Sequence, residues 1–224
     1  MEGGYMSDRI DAYRIKLYQD EVARCMHRLF DEGHMNADGL AEVSVIDRES
    51  GIVVTSIKPG FIGVREIDDY HGTDMAVVDL DGNLVYDITP PNDNVDLAIA
   101  IFKAMPEVGA IIHSYPIYCG LFANNSRPIP FAFVEQGYIT DFDYSTGFST
   151  DVVTTPPSHT QEYFDEVIEK FHGTQFVLLK DFGSISVAVA DNVDNALNYL
   201  AWMEEVCQKI VRAEMIGDIQ WIDE

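Results

Sequence analysis

Two pairs of short β-rich runs, each folded about a turn-forming segment, constrain the fold of this chain more than any other feature. Val43–Ile46 and Ile52–Ser56 flank Asp47-Arg48-Glu49-Ser50-Gly51, and Met75–Leu80 and Leu84–Asp87 flank Asp81-Gly82-Asn83. β-Branched residues bounded by Asp, Asn and Gly predict hairpins, and hairpins pair their strands antiparallel. A sheet built from them must bury its apolar face against helices or another sheet.

The rest of the chain supplies helices and further strands. Residues 7–31 place Ile10, Tyr13, Leu17, Val22, Cys25 and Leu29 at roughly helical spacing, with Gly33 as a stop. Thr89-Pro90-Pro91-Asn92 breaks the sheet; Asp93 or Asn94 then caps a helix running to about Met105, with Val95, Ile99, Phe102 and Met105 inward. Ala110–Tyr115 reads as a buried strand closed by Pro116, and Tyr118–Asn124 as a short helix. Arg127–Phe131 and Val152–Thr155 read as strands on either side of an irregular loop, 135–150. Ser158–His172 is a helix capped by Ser158 or Thr160. Phe176–Leu179 and Ile185–Ala190 are strands about the turn Lys180-Asp181-Phe182-Gly183-Ser184, and a long helix runs from Asp194 to about Glu214. The pattern predicts one α/β domain over residues 1–224, with a core of about 7–214 and a C-terminal tail, 215–224. Its centre is a mainly antiparallel sheet with helices packed on it.

Composition narrows the partners. The chain is 47% hydrophobic and 23% charged, which fits a globular core. Its longest apolar runs, such as Gly109–Ile112 and Phe176–Leu179, fall far short of the ~20 residues that span a bilayer. Met1–Ser7 shows neither the basic nor the apolar region of a secretory signal. Acidic residues outnumber basic ones 38 to 14, for a formal charge of −24. Such a surface repels nucleic acid and anionic membrane, which leaves a small molecule as the expected ligand. Cys25, Cys119 and Cys207 lie far apart in sequence, as neither a disulfide framework nor a metal knuckle. They read as inert thiols in a reducing cytoplasm.

Among the histidines, His113 stands out. It closes an apolar strand just ahead of Pro116, and strand ends that open into loops often carry functional groups. A hydrogen-bonded structural histidine is the alternative. Histidines two apart on a strand can share a metal, but the residue two beyond His113 is Tyr115. His27, His34 and His172 read as surface residues, and His71 as a loop residue; no HxH, HxxH or HExxH pattern occurs. No GxGxxG, P-loop or GxSxG pattern occurs either. Lys180 follows a buried strand, where desolvation can turn a lysine into a Schiff-base nucleophile; beside Asp181 it also reads as an exposed turn residue. Tyr138, Asp141, Phe142, Asp143 and Tyr144 crowd one loop, either as an aromatic lid with acid/base groups or as a loop docked by its rings.

The order of five segments resembles the class II aldolase/adducin family. They are Val43-Ser44-Val45-Ile46-Asp47-Arg48-Glu49-Ser50-Gly51, Ile57-Lys58-Pro59-Gly60, Pro90-Pro91-Asn92-Asp93, Pro106-Glu107-Val108-Gly109-Ala110-Ile111-Ile112-His113 and Arg127-Pro128-Ile129-Pro130. The resemblance runs from about residue 20 to 212. It implies a three-layer α/β/α fold about a central, mainly antiparallel sheet, assembled as a homo-oligomer, usually a tetramer. It also implies aldol cleavage or retro-aldol epimerisation of a sugar phosphate, with Zn²⁺ or a similar ion stabilising an enediolate.

The functional positions implied by the resemblance are only partly kept. The family's HxH strand falls on His113 and Tyr115, and a further histidine, in a His-Gly pair, on Phe182 before Gly183. An acidic residue opening the preceding helix falls on Asn94. The phosphate-binding Gly-Asn pair falls on Ala41-Glu42, and a Ser-Ser pair on Asn92-Asp93. Lys58 is kept. An epimerase aspartate falls near Tyr138, and an aldolase tyrosine near Val134. A site rebuilt from His113, Asp93, Asp96 and Asp181 is the remaining way to hold a metal.

The expectation is therefore a divergent member without a cofactor, Zn²⁺ being disfavoured. It would act on a small carbonyl or hydroxy substrate by lyase or isomerase chemistry. His113, Tyr115, Tyr138 and Lys180 are the candidate catalytic groups. Lys58, Asn92, Asn94 and Asp181 are the candidate substrate contacts. The competing expectations are a non-catalytic binding or partner subunit of an intact homologue, and the family reaction on a rebuilt metal site.

Overall fold

The first hairpin forms where the sequence places it. Strands β1 (Glu42–Asp47) and β2 (Ile52–Thr55) pair antiparallel, with Asp47 opposite Ile52. The turn closes because Gly51 takes a positive φ of 71°, which a side chain would strain. The computed structural model describes residues 11–36, 40–57, 67–85, 88–133, 136, 150–171, 173–189 and 192–217.

Five further strands complete one sheet: β3 (Ala76–Asp79), β4 (Val108–Ser114), β5 (Val152–Val153), β6 (Phe176–Leu179) and β7 (Gly183–Val189). Their order is β3-β2-β1-β4-β7-β6-β5, and every pair is antiparallel except β5 with β6. The helices are α1 (Ala12–Asp31), α2 (Val95–Ala104), α3 (Ile117–Asn124), α4 (Gln161–Lys170) and α5 (Val193–Glu214).

Both faces of the sheet are covered, which is why β4 is buried along its whole length. Val43, Val45, Ala110, Ile112 and Ala188 point into one core, shared with α1, α3 and α5. Ile46, Ile111, Ile185 and Val187 point into the other, shared with α2 and α4. Alternation along the strands separates the two cores, giving three α/β/α layers. No helix among the described residues is long and apolar enough to cross a membrane.

Several boundaries differ from the sequence expectation. Of the expected second arm, Leu84–Asp87, the described residues contribute one isolated bridge, Leu84 to Val78, and residues 86–87 lie outside the described residues. The Asp79 carboxylate shapes the turn between them by taking the N–H groups of Asp81 and Asn83. Arg127–Phe131 is not a strand; it contributes one bridge, Ile129 to Thr150. The helix expected over Ser158–His172 is shorter, starting after Thr160, whose hydroxyl accepts from Tyr163 N–H. Asn94 does precede α2, yet its side chain does not cap it.

Candidate functional site

Sheet register creates the site. Glu42 opens β1 and His113 lies near the end of β4, and the two are direct cross-strand partners. Directly opposed residues share a face, here the one covered by α2. Glu42 Oε2 lies 3.0 Å from His113 Nδ1. The other ring nitrogen, Nε2, lies 2.7 Å from the carbonyl oxygen of Phe182, on the β6–β7 turn. A carbonyl can only accept, so Nε2 carries a proton and donates it. The other nitrogen, Nδ1, faces the Glu42 carboxyl group. No lone pair of His113 is left facing an empty direction.

The start of α2 completes the network. Asn94 Nδ2 donates to Glu42 Oε1 at 2.7 Å, so that carboxylate spans α2 and β4. Asn92 is buried and donates to Thr55 Oγ1 at 2.7 Å, while its Oδ1 accepts from Asn94 N–H at 3.0 Å. Thr55 in turn meets Ser44 Oγ at 2.7 Å. Glu42, Ser44, Asn92, Asn94, Ile111 and His113 line a cavity of about 10 Å³, the space of a single water.

Aromatic rings close the other side. His113, Tyr115 and Phe182 form a cluster, with the His113 ring centroid 5.2 Å from Tyr115 and 4.7 Å from Phe182. Gly183 makes this possible. With φ at 80°, it brings the turn so close to β4 that a Cβ there would stand 2.2 Å from Ser114 O. Burial, and then the Glu42 charge, hold the Tyr115 phenol well above the usual tyrosine range, so it stays protonated. Tyr163 on α4 behaves alike: burial, then Tyr115, Glu166 and Glu42, disfavour its ionised form. Its hydroxyl is buried without a hydrogen-bond partner among the described residues.

The structure thus brings together His113, Tyr115, Asn92 and Asn94. Lys180 and Asp181 lie on the same turn as Phe182 but do not line the cavity: Lys180 is half-buried, and Asp181 is exposed with φ at 58°. Lys58 and Tyr138 lie outside the described residues, as do His172 and the aromatic segment 141–144. Two participants escaped the sequence reading. Glu42 registered there only as a charge at a phosphate position; its role needed the β1–β4 register, which places it opposite His113. Tyr163 had no signal beyond helical periodicity.

A model of the family "Class II Aldolase and Adducin N-terminal domain" matches residues 20–211. L-ribulose-5-phosphate 4-epimerase UlaF of Salmonella paratyphi B is 32% identical over 90 residues, which is 39% of this chain and 36% of that protein. UlaF of Salmonella typhi matches to the same extent, so the alignment spans about a third of these curated relatives. Among solved structures, an L-fuculose 1-phosphate aldolase superposes with a TM-score of 0.81 at 19% identity, covering 97% of this chain and 94% of that one. The L-fuculose-1-phosphate aldolase of Thermus thermophilus gives 0.70 at 17% identity, covering 90% and 96%. At these identities the superpositions carry the fold, and the family match carries the kinship: the chain belongs to the class II aldolase and adducin N-terminal domain family.

Proposed function

We propose that this chain is a non-catalytic member of its family, a binding or partner subunit in which the histidine end of the sheet has become an internal hydrogen-bonded network. The double engagement of His113, by Glu42 and by the Phe182 carbonyl, carries this reading. A divalent ion needs a free imidazole lone pair, and both ring nitrogens of His113 already have partners in this arrangement. Tyr115 and Phe182 stand where the resemblance places further histidines, and the Asn94 amide is turned to Glu42. Among the described residues, no group of three His, Cys, Asp or Glu side chains gathers to hold a metal. The residues present do not fit a Zn²⁺ site. Glu42 also sets a carboxylate at a phosphate position, which opposes a phosphorylated ligand. Assembly with copies of itself or with an intact relative is part of the proposal.

A second reading, metal-independent lyase or isomerase chemistry, draws on one observation. Tyr115 is half-buried, and its protonated phenol can donate to a carbonyl oxygen or an enolate.

Metal analysis of chelator-free protein, with assays on L-ribulose 5-phosphate and L-fuculose 1-phosphate in added Zn²⁺ or Mn²⁺, tests both. The first reading expects substoichiometric metal, no turnover above the blank, and co-purification with an HxH-bearing relative. Stoichiometric metal with turnover overturns both readings. Metal-free turnover that drops about 100-fold in Tyr115→Phe selects the second.

A further inference from the structure

The sequence spaces its three cysteines widely, but the fold brings two of them together. Cys119, in the first turn of α3, and Cys207, on α5, are fully buried, with their sulfurs 3.6 Å apart. We propose that Cys119 and Cys207 are an oxidisable dithiol whose disulfide ties α3 to α5.

Their alignment does not depend on chance contact between two helices. Glu204 lies one turn before Cys207, and its two carboxylate oxygens each accept a backbone N–H of α3, from Tyr118 and from Cys119, both at 2.8 Å. That bidentate cap satisfies N–H groups which a helix start leaves unpaired, and it fixes the first turn of α3 against α5. The thiols are held in register in the reduced state. A disulfide bond of about 2.05 Å needs the sulfurs to close by about 1.5 Å more.

Hydrogen peroxide is the simplest oxidant. One thiolate attacks a peroxide oxygen, giving a sulfenic acid and releasing hydroxide, which becomes water on protonation. The second sulfur then displaces the sulfenic hydroxyl as water, forming the S–S bond. The two thiols lose two hydrogens, and the peroxide is reduced to two waters. Burial keeps Cys119 protonated at neutral pH, so the reaction waits on local opening of α3, a short helix. The cross-link joins residues 88 positions apart. It also pins the strand that carries His113, because β4 runs through Tyr115 and Pro116 directly into α3.

The test treats the full-length folded protein with hydrogen peroxide below its melting temperature, then denatures it, alkylates it and maps its peptides. The expected product is a Cys119–Cys207 linked peptide that dithiothreitol releases, with Cys25 alkylated. Tm should rise by about 10 °C, as a long closed loop implies. The rise should be absent in Cys207→Ala and kept in Cys25→Ala. Any other pairing, an intermolecular dimer, or Cys119 and Cys207 recovered alkylated or as sulfinic acids from protein shown folded by circular dichroism, overturns the proposal.

Discussion

Glu42 and His113 face each other across β1 and β4, with Oε2 and Nδ1 3.0 Å apart. His113 is nearly inaccessible, at 4% side-chain exposure, while Glu42 keeps 21%. Asn94 and the Phe182 carbonyl satisfy the remaining polar directions. Four segments distant in sequence therefore meet through one carboxylate and one imidazole. Such networks bind their members tightly when complete and cost most when one partner is removed.

Removing Glu42 should expose that dependence. Glu42→Ala leaves His113 Nδ1 and the Asn94 amide without their partner, and is expected to lower stability by about 3 kcal/mol. Glu42→Gln can donate its amide N–H to Nδ1 of a neutral ring while its carbonyl oxygen accepts from Asn94, and should cost about 1 kcal/mol. Urea titration of the three proteins checks the order. Equal losses for Ala and Gln would show that the carboxylate is replaceable by nothing neutral.

Gly183 is the backbone condition for the same network. Gly183→Ala must find room for a Cβ set against Ser114 O while keeping φ at 80°. Strain and displacement together predict a loss of about 3 kcal/mol, or roughly 10 °C in Tm. The displaced turn should also move the Phe182 carbonyl from His113, which is visible as a changed His113 ring ¹⁵N shift.

Most of the fold was legible because its signals are local. Gly51 and the acidic turn before it announce the first hairpin, and the spacing over residues 7–31 announces α1, although Tyr13 and Leu17 turn out exposed. The Pro116 stop marked the end of β4 to within a residue. What stayed hidden depends on register and tertiary contact. Leu84–Asp87 reads as a strand; among the described residues it forms one bridge, Leu84 to Val78, beyond a turn shaped by the Asp79 carboxylate. His113 was recognisable from its place at a strand end. Its partners were not: Glu42 lies 71 residues away and the Phe182 carbonyl 69, and no sequence spacing encodes either. The approach of Cys119 to Cys207 was hidden for the same reason.

His34 gives a pH dependence with a defined sign. Burial pulls its pKa below 6.5, against the opposing pull of Glu204 and Glu32. The unfolded chain then binds a proton that the native chain refuses, so stability rises with pH in that window. Acidification from pH 7 through 6.5 toward the depressed folded value should cost stability. His34→Gln should flatten that slope, and its backbone carbonyl still accepts Tyr115 N–H, at 3.1 Å in the wild type. Chemical denaturation between pH 5 and pH 8 measures both slopes; parallel curves would assign the dependence to other groups.

Arg48 closes the opposite end of the sheet. Its guanidinium leaves the first hairpin turn and donates to three carbonyls, Phe102 at 2.8 Å, Met105 at 3.0 Å and Val108 at 2.5 Å. The first two belong to the end of α2, and Met105 O also accepts Val108 N–H at 3.1 Å, so the guanidinium adds to the backbone closure of the helix end. The same group lies 5.6 Å from the Phe102 ring centroid, so charge and packing act together. Arg48→Met keeps the apolar stem and removes every donor. Part of the group faces water, so solvent takes up some of the released carbonyls, and the loss should be about 1.5 kcal/mol. Arg48→Lys should recover only a fraction, because an ammonium cannot span three carbonyls as a planar fork does. Amide exchange distinguishes this capping role from a general loss of stability: protection should fall first at Met105 and Val108, while Ile111 and Ile112 in the centre of β4 keep theirs.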